Sequence, residues 1–207
     1  MPADAPSIPP YFAQRDGIRI RPYRLDDATP FFWAAMSSRQ DIQGWMPQFS
    51  ERYTLDDART WVLSRLGAWH SGQAFEFVIE RVEDGELIGS AGLSAVQQSL
   101  RYAQIGYWVR NDAHGHGIGC TAIKLVAGFA FDVLALSRIE FAIQTGNSPA
   151  RAAAEDAGAL FETVARNRLR EQGQPIDAAV YALVPGDLYS QAGDLRGAPV
   201  ITPLRNN

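Results

Sequence analysis

The 207-residue sequence lacks the features that define several large classes of protein. Its single cysteine, Cys120, excludes a disulfide within the chain. No run of about 18 apolar residues occurs, so we expect no membrane-spanning segment. The N-terminus lacks the basic region and apolar run of a secretory signal peptide. A formal net charge of -4 argues against a general nucleic-acid-binding surface. The default expectation is a cytoplasmic protein.

The sequence also has few of the motifs that bind metal ions or phosphate groups. The sequence has three histidines, and two of them, His114 and His116, are separated by one residue, which is weak evidence for a metal site. No Gly-Lys-Ser/Thr triplet occurs, so the chain has no P-loop. We therefore expect no bound metal ion.

The composition, which is 46% hydrophobic, is sufficient for one domain with a sizeable core. Residues 1–16 carry four prolines and are predicted to form an irregular N-terminal arm. Residues 17–186 form the predicted domain, and residues 187–207 form a C-terminal tail. Strands in a meander with interspersed helices predict an α+β fold with a mixed sheet.

One stretch, Gln104 to Thr121, reads as a strand followed by a glycine-rich turn and the start of a helix. The three glycines of the turn are Gly115, Gly117 and Gly119. Glycines at a helix start let backbone N–H groups converge on an anion, and the helix dipole favours negative charge there. The turn therefore predicts a pyrophosphate site, although the glycines alone also fit a flexible connection.

A dinucleotide fingerprint is formally present as Gly117-x-Gly119-x-x-Ala122, and Glu140 lies in the next predicted strand. It keeps an NAD-dependent oxidoreductase open as a remote alternative. In that fold the first glycine follows the strand directly, whereas here Asn111–His116 intervene.

The sequence resembles the GNAT superfamily of N-acetyltransferases, and within it the Rim-type branch (RimJ/RimL-like). His114-x-x-Gly117-x-Gly119 is similar to the coenzyme A loop of that family, with His114 in place of the usual Gln or Arg. Asn147, followed by Gly158 and Glu162, is similar to the downstream Rim-type pattern. The resemblance implies the GNAT fold, with a mostly antiparallel central sheet that is splayed in the middle and flanked by helices.

The resemblance also implies direct acetyl transfer from acetyl-CoA to a primary amine, either a protein N-terminus or a small amine. It implies coenzyme contacts from the strand, the loop and the next helix. These residues are Trp108, Val109, Arg110, His114, Gly115, His116, Gly117, Ile118, Gly119, Cys120, Thr121, Asn147 and Arg151. Rim-type relatives often pair, so the resemblance leaves a homodimer open.

The groups that usually handle protons in the family are missing at the matched positions, which hold Ala150, Ala154 and Leu169. An amine that attacks a thioester still needs a base and an oxyanion donor. The loss of the usual groups leaves a second hypothesis open, namely a catalytically weak domain that binds acyl-CoA as a sensor.

Other side chains are therefore candidates for catalysis. Glu76 and Glu80 lie on the polar face of a predicted strand next to the expected site, and Tyr107 lies in the strand before the glycine loop. Trp45 and Met46 fall where Rim-type proteins cover the acceptor groove, so we expect them to contact the substrate.

Overall fold

The computed structural model describes residues 11–46, 48–171 and 173–190. In these ranges eight strands form one sheet. The strands are β1 (Ala13–Arg15), β2 (Ile18–Pro22), β3 (Phe75–Arg81), β4 (Leu87–Gln97), β5 (Tyr102–Val109), β6 (Arg138–Gln144), β7 (Leu160–Glu171) and β8 (Gln174–Leu183). The helices are α1 (Ala28–Ser37), α2 (Arg39–Ile42), α3 (Leu55–His70), α4 (Ile118–Gly128), α5 (Ser148–Asp156) and α6 (Pro185–Ser190).

The strand order is β1-β2-β3-β4-β5-β6-β8-β7, and every pair is antiparallel except β5 with β6. That parallel pairing covers only Tyr102–Gln104 against Arg138–Glu140. Beyond it the two strands separate, although β6 stays paired with β8 as far as Gln144. The sheet is therefore mixed, mostly antiparallel and splayed in the middle, which confirms the predicted fold class.

The two faces of the sheet bury different sets of side chains, because successive residues of a strand point to opposite faces. On β3, Phe75, Phe77 and Ile79 join the larger core beneath α4 and α5. Val78 of β3 and Trp108 of β5 join the smaller core under α1 and α3. The side chains of even-numbered residues in β3 and β5 consequently face α1 and α3.

The helix starts follow local sequence signals. Thr54 caps α3 through a capping box with Asp57, in which the Thr54 hydroxyl oxygen accepts the Asp57 amide proton at 3.2 Å. Asn147 caps α5, where its side-chain oxygen accepts the Ala150 amide proton at 3.1 Å. None of the described helices is long and apolar enough to cross a membrane.

Elements at both ends of the described chain extend past the predicted domain borders at residues 17 and 186. Strand β1 pairs with β2, so part of the predicted arm belongs to the sheet. Leu188 of α6 is buried in the larger core. Residues 1–10 and 191–207, which make up most of the predicted arm and tail, lie outside the described residues.

Candidate active site

Two clefts meet where β5 and β6 separate. The glycine-loop cleft, of about 720 Å³, lies between the start of α4 and the start of α5. The aromatic cleft, of about 710 Å³, lies between the splayed strands and α3. Residues that line both clefts mark the place where they join: Trp45, Met46, Tyr107, Trp108, Asn147 and Ala150. The open middle of the sheet therefore connects two separate binding spaces.

The three glycines of the loop have different physical reasons to be glycine. Gly115 and Gly117 have φ angles of +82° and +70°, in the left-handed region that disfavours side chains. Gly119 has an ordinary φ, but a β-carbon there would lie 2.8 Å from the Tyr107 ring. The first two glycines set the turn, and the third lets α4 pack closely on β5.

The first turn of α4 presents unpaired amides to the glycine-loop cleft. The Thr121 amide donates to the Gly117 carbonyl at 2.9 Å and is the first of the helix to find a backbone partner. The preceding amides, of Ile118, Gly119 and Cys120, make no hydrogen bond to any described residue, as expected for a helix start. Among the residues that the structure describes, no Arg or Lys lines this cleft. An anion there would be held by backbone N–H groups and the helix dipole.

The backbone of β5 offers a second set of free groups. Main-chain groups of alternate residues in an antiparallel pair point to opposite sides. The Arg110 amide donates to the Ile88 carbonyl at 2.7 Å. The main-chain groups of Arg110 and of Trp108, two residues before it, therefore both point toward β4. The main-chain groups of Tyr107 and Val109 therefore point toward β6, where β5 has no strand partner, although the Val109 carbonyl oxygen already lies 2.9 Å from His114 Nε2. Of Trp108, Val109 and Arg110, for which the sequence predicts coenzyme contacts, Val109 directs its main-chain groups into the gap, whereas those of Trp108 and Arg110 face β4.

The two arginines predicted to contact the coenzyme are engaged elsewhere. The Arg110 guanidinium pairs with Glu86 and Asp112, and the closest Asp112 contact is 2.6 Å. Arg151 donates to the Tyr181 hydroxyl at 2.9 Å and to the Thr145 carbonyl at 3.2 Å. Neither arginine lines a cleft. Both guanidinium groups are thus held by protein partners, and the coenzyme contacts of these two residues stay predictions.

The remaining loop residues divide into those that face the glycine-loop cleft and those that do not. His114, Ile118 and Cys120 line it, and His114 Nε2 lies 2.9 Å from the Val109 carbonyl oxygen. His116 is exposed and does not line the cleft, and its predicted coenzyme contact stays a prediction. Thr121 also points away, because its hydroxyl is directed to Asp16 at 3.4 Å.

Asn147 lies at the junction of the two clefts. Its side-chain oxygen is fixed by the Ala150 amide at the start of α5. Because the oxygen accepts this bond, the orientation of the side-chain amide is set, and its NH₂ group is left to donate to a ligand. A residue that caps a helix therefore also offers two N–H groups at the place where β5 and β6 part.

Glu76 is the carboxylate that lines the aromatic cleft from the sheet. Its carboxylate makes no hydrogen bond or ion pair with any of the residues that the structure describes. Removal from water raises its pKa to about 7, although the positive charge of Arg65 opposes the rise. Glu76 is therefore poised to exchange a proton near neutral pH.

A floor without side chains separates Glu76 from the open middle of the sheet. Gly92 of β4 lies beside Glu76, and Gly106 of β5 lies beside Gly92. A β-carbon on Gly92 would lie 2.3 Å from Glu76 Oε2, so the carboxylate rests over Gly92. A β-carbon on Gly106 would meet nothing within 4 Å. Two strand spacings, or about 10 Å, therefore separate the carboxylate from the gap between β5 and β6, and the two positions between them carry no side chain.

Glu80, the other predicted carboxylate, has a structural role instead. It is buried and pairs with Arg19 and Arg21, at 2.6 Å from the Arg21 Nε atom. Hydrogen bonds from these arginines lower its pKa against the opposing effect of burial. Glu80 does not line either cleft, so the prediction of a catalytic role does not match its position.

The other predicted side chains do reach the junction. Tyr107 lines both clefts, and burial raises its pKa to about 12, which keeps its hydroxyl protonated at neutral pH. Trp45 and Met46 line both clefts as well. Of the positions that lack the usual proton-handling groups, Ala150 and Leu169 line the aromatic cleft, whereas Ala154 is buried in the core.

The architecture excludes the dinucleotide-binding alternative. That fold requires a mostly parallel sheet with a glycine turn directly at a strand end. Here β5 ends at Val109, well before Gly117, and only one strand pair is parallel. Within the described part of the chain, no group of three or more His, Cys, Asp or Glu residues is placed to hold a metal ion.

Comparisons with known proteins agree with this geometry. The model of the acetyltransferase (GNAT) domain matches residues 18–160. YdaF of Bacillus subtilis (strain 168), provisionally named a ribosomal N-acetyltransferase, is 36% identical over 49% of this chain and 55% of its own length. YjcK of the same organism, named a probable N-acetyltransferase, is 27% identical over 82% of this chain and 95% of its own length. The solved structure of Mycobacterium smegmatis RimJ with CoA-disulfide shares the fold, with a TM-score of 0.74 and 24% identity over 87% of both chains.

Proposed function

The chain belongs to the GNAT acetyltransferase family, and on that premise we propose that it transfers an acetyl group from acetyl-CoA to a primary amine. The observation that supports this activity is the meeting of two clefts at the splayed strands. The glycine-loop cleft suits the coenzyme, and the aromatic cleft suits the acceptor. A bisubstrate reaction without a covalent enzyme intermediate requires such an arrangement, because both reactants must be held in contact.

The residues of the glycine-loop cleft fit the chemistry of coenzyme A. The free amides of Ile118, Gly119 and Cys120 would hold the pyrophosphate at the positive end of α4. The Tyr107 carbonyl and the Val109 N–H, together with the Asn147 amide, would bond the amide groups of the pantetheine arm. Bound there, acetyl-CoA supplies the acetyl group as an activated thioester.

In this proposal the protein contributes a base and an oxyanion donor. Glu76 accepts a proton from the substrate ammonium group, through water along the Gly92–Gly106 floor. The Tyr107 main-chain N–H, which faces the gap, stabilises the negative charge that develops on the acetyl oxygen. The nitrogen bonds to the acetyl carbon as the carbon–sulfur bond breaks. Of the two protons that the ammonium group loses, one goes to Glu76 and on to solvent, and the other goes to the released sulfur.

An assay of free thiol release tests this proposal with purified protein, acetyl-CoA and a panel of primary amines. We expect release that depends on both substrates and a marked loss of rate in Glu76→Gln. Glu83→Gln, in the exposed turn after β3, is the matched control. Calorimetry with acetyl-CoA separates binding from turnover. If the coenzyme binds but no amine supports thiol release, the acyl-CoA sensor expected from Ala150, Ala154 and Leu169 replaces the enzyme.

The acceptor is an amine, and both a protein N-terminus and a small molecule fit the family. A homodimer would use the edge strand β7, where Leu160, Phe161 and Val164 expose large apolar side chains. Sedimentation velocity of the wild-type protein and of Val164→Glu tests this assembly.

A further inference from the structure

The part of the aromatic cleft next to Glu76 contains buried polar groups without partners. The Tyr23 hydroxyl and the Trp61 indole Nε1 atom are both buried, and neither makes a hydrogen bond to any residue that the structure describes. The Glu76 carboxylate has no such bond either. Buried polar groups in folded proteins are almost always hydrogen-bonded, so a cluster of this kind indicates a site for a bound polar molecule.

The fold brings these groups together from three elements on one face of the sheet. Tyr23 directly follows β2, whose last residue pairs with the neighbour of Glu76 on β3. Ser90 of β4 is paired with Val78 and points to the same face. Burial raises the pKa of the Tyr23 phenol, whereas the nearby polar groups of Ser90 and Trp61 oppose the rise. The hydroxyl therefore lies between the Ser90 and Trp61 side chains, although it bonds directly to neither.

The donors and acceptors of this cluster match those of a single water molecule. The Trp61 indole N–H can only donate, and the buried Tyr23 phenol stays protonated and donates as well. The Ser90 hydroxyl already donates to the Phe77 carbonyl at 3.0 Å, so its oxygen is left to accept. The ionised Glu76 carboxylate also accepts. A water molecule that accepts two hydrogen bonds and donates two satisfies all four groups.

A larger or a charged ligand does not fit the same place. The Trp61 ring stacks on Phe31 at an angle of 10°, and the Arg65 guanidinium lies 4.2 Å from its centroid. The Tyr23 ring meets Phe31 edge to face at 5.8 Å. These rings are therefore covered by the protein itself, and only their polar atoms are left for a ligand. An ammonium group would face two donors there, whereas water accepts from both.

From this arrangement we infer that the two donors and the Ser90 hydroxyl hold an ordered water molecule against the Glu76 carboxylate. This water is the first carrier in the proton path along the Gly92–Gly106 floor. It passes one of its protons to Glu76 and takes one from the next water molecule toward the gap, so it remains neutral. Tyr23 and Trp61 are thus positioning residues for the base. The inference rests on the proposed acetyl transfer and adds residues to its proton path.

Several charged groups surround the same cluster. Burial raises the pKa of Glu76, and the positive charge of Arg65 on α3 opposes the rise. Asp57 of α3 lines the same cleft, and the charge of Asp27 acts on the Tyr23 phenol. All of these charges stay in place when a single hydroxyl is removed. A water that donates to the ionised carboxylate lowers its pKa, so loss of the water should raise it.

The test removes one hydroxyl and follows the ionisation of Glu76 directly. Tyr23→Phe keeps the ring, and an NMR titration of the Glu76 carboxyl carbon, identified by its loss in Glu76→Gln, needs no turnover. We expect the midpoint to rise from about 7 by about one pH unit, and the kcat/KM limb to move with it. Ser90→Ala, which removes an acceptor of the same water, should shift it in the same direction. Tyr11→Phe removes a hydroxyl from a ring buried in the larger core and should leave the midpoint unchanged.

The outcomes separate the water site from the proposed activity. Ser90→Ala carries the test if Tyr23→Phe fails to fold. An unchanged midpoint in both variants, or an equal shift in Tyr11→Phe, would overturn the inference and leave the acetyltransferase proposal standing. A raised midpoint in a protein that releases no thiol with any amine would uphold the water site and overturn the proposed activity.

Discussion

The Glu76 carboxylate lies over the α-carbon of Gly92, so close that a β-carbon there would be 2.3 Å from Oε2. The carboxylate can occupy this position because the neighbouring strand has no side chain at that point. The same position removes it from water without providing an ion pair, and its pKa rises to about 7 as a result. Its location and its proton affinity therefore have a common structural cause.

The first prediction concerns the pH dependence of catalysis. If Glu76 is the base, kcat/KM should rise with pH through a midpoint of about 7, because only the ionised carboxylate accepts a proton. Glu76→Gln should lose this limb and lower kcat by about 100-fold to 10,000-fold. Deprotonation of the acceptor produces a separate limb, at about pH 10 for a small alkylamine and at about pH 8 for a protein N-terminus, so a small alkylamine is the substrate to use. A Glu76→Gln enzyme that retained the limb at pH about 7 would exclude Glu76 as the base.

The second prediction concerns stability, which depends on the same group. The pKa of Glu76 is raised from 4.5 in the reference state to about 7 in the folded protein. Between these values the folded state holds the proton and the unfolded state has lost it, so stability falls as pH rises through this window. Between about pH 4 and pH 8, the free energy of unfolding of Glu76→Gln should therefore rise by about 1–3 kcal/mol relative to that of the wild type.

Urea unfolding at both pH values measures this linkage. Glu83→Gln should show no comparable change, since that side chain is exposed in a turn. The same difference between wild type and Glu76→Gln at both pH values would contradict the assignment of a raised pKa to Glu76.

The outcome for Glu76 and Glu80 shows where sequence reasoning stops. Both lie on the same face of β3, and their spacing alone does not distinguish them. Their roles differ because Arg19 and Arg21 of β2 lie beside Glu80, whereas glycine lies beside Glu76. The alternation of residue types along a strand predicts which face of the sheet each side chain occupies. It does not predict the neighbouring side chains, because these depend on how the strands pair.

The glycine-rich loop before α4 shows the opposite case, because its geometry depends on local sequence alone. Three glycines before a helix predict a turn with free amides, and those amides are a property of any helix start. The positions of the Arg110 and Arg151 side chains do not follow from local sequence in the same way. They pair with Glu86 of the turn before β4 and with Tyr181 of β8, which only the folded sheet brings close.

The third prediction separates the two roles of Asn147. Asn147→Asp keeps an oxygen for the Ala150 amide but loses the NH₂ donors, so folding should be retained while acetyl-CoA binding weakens by about tenfold. Asn147→Ala loses the cap as well and should cost about 1 kcal/mol of stability. Thermal unfolding and calorimetry measure the two effects. Unchanged coenzyme affinity in Asn147→Asp would show that Asn147 acts only as a cap.

The fourth prediction tests the anion site at the start of α4. Gly117 has a φ of +70°, and open space surrounds the position of a β-carbon. Gly117→Asn suits this left-handed backbone better than most residues and adds no charge, whereas Gly117→Asp places a carboxylate beside the free amides. We expect Gly117→Asp to weaken acetyl-CoA binding by at least about tenfold more than Gly117→Asn, because two anions then compete for the same donors.

A matched control for the added charge is Gly146→Asp, at a loop glycine that does not line either cleft and has open space around it. It should leave the coenzyme affinity unchanged. Raising the salt concentration should reduce the difference between the two Gly117 variants, since repulsion between exposed charges is screened. Equal affinities for Gly117→Asp and Gly117→Asn at low salt would mean that the pyrophosphate lies away from this turn, and the assignment of the glycine-loop cleft to coenzyme A would then be wrong.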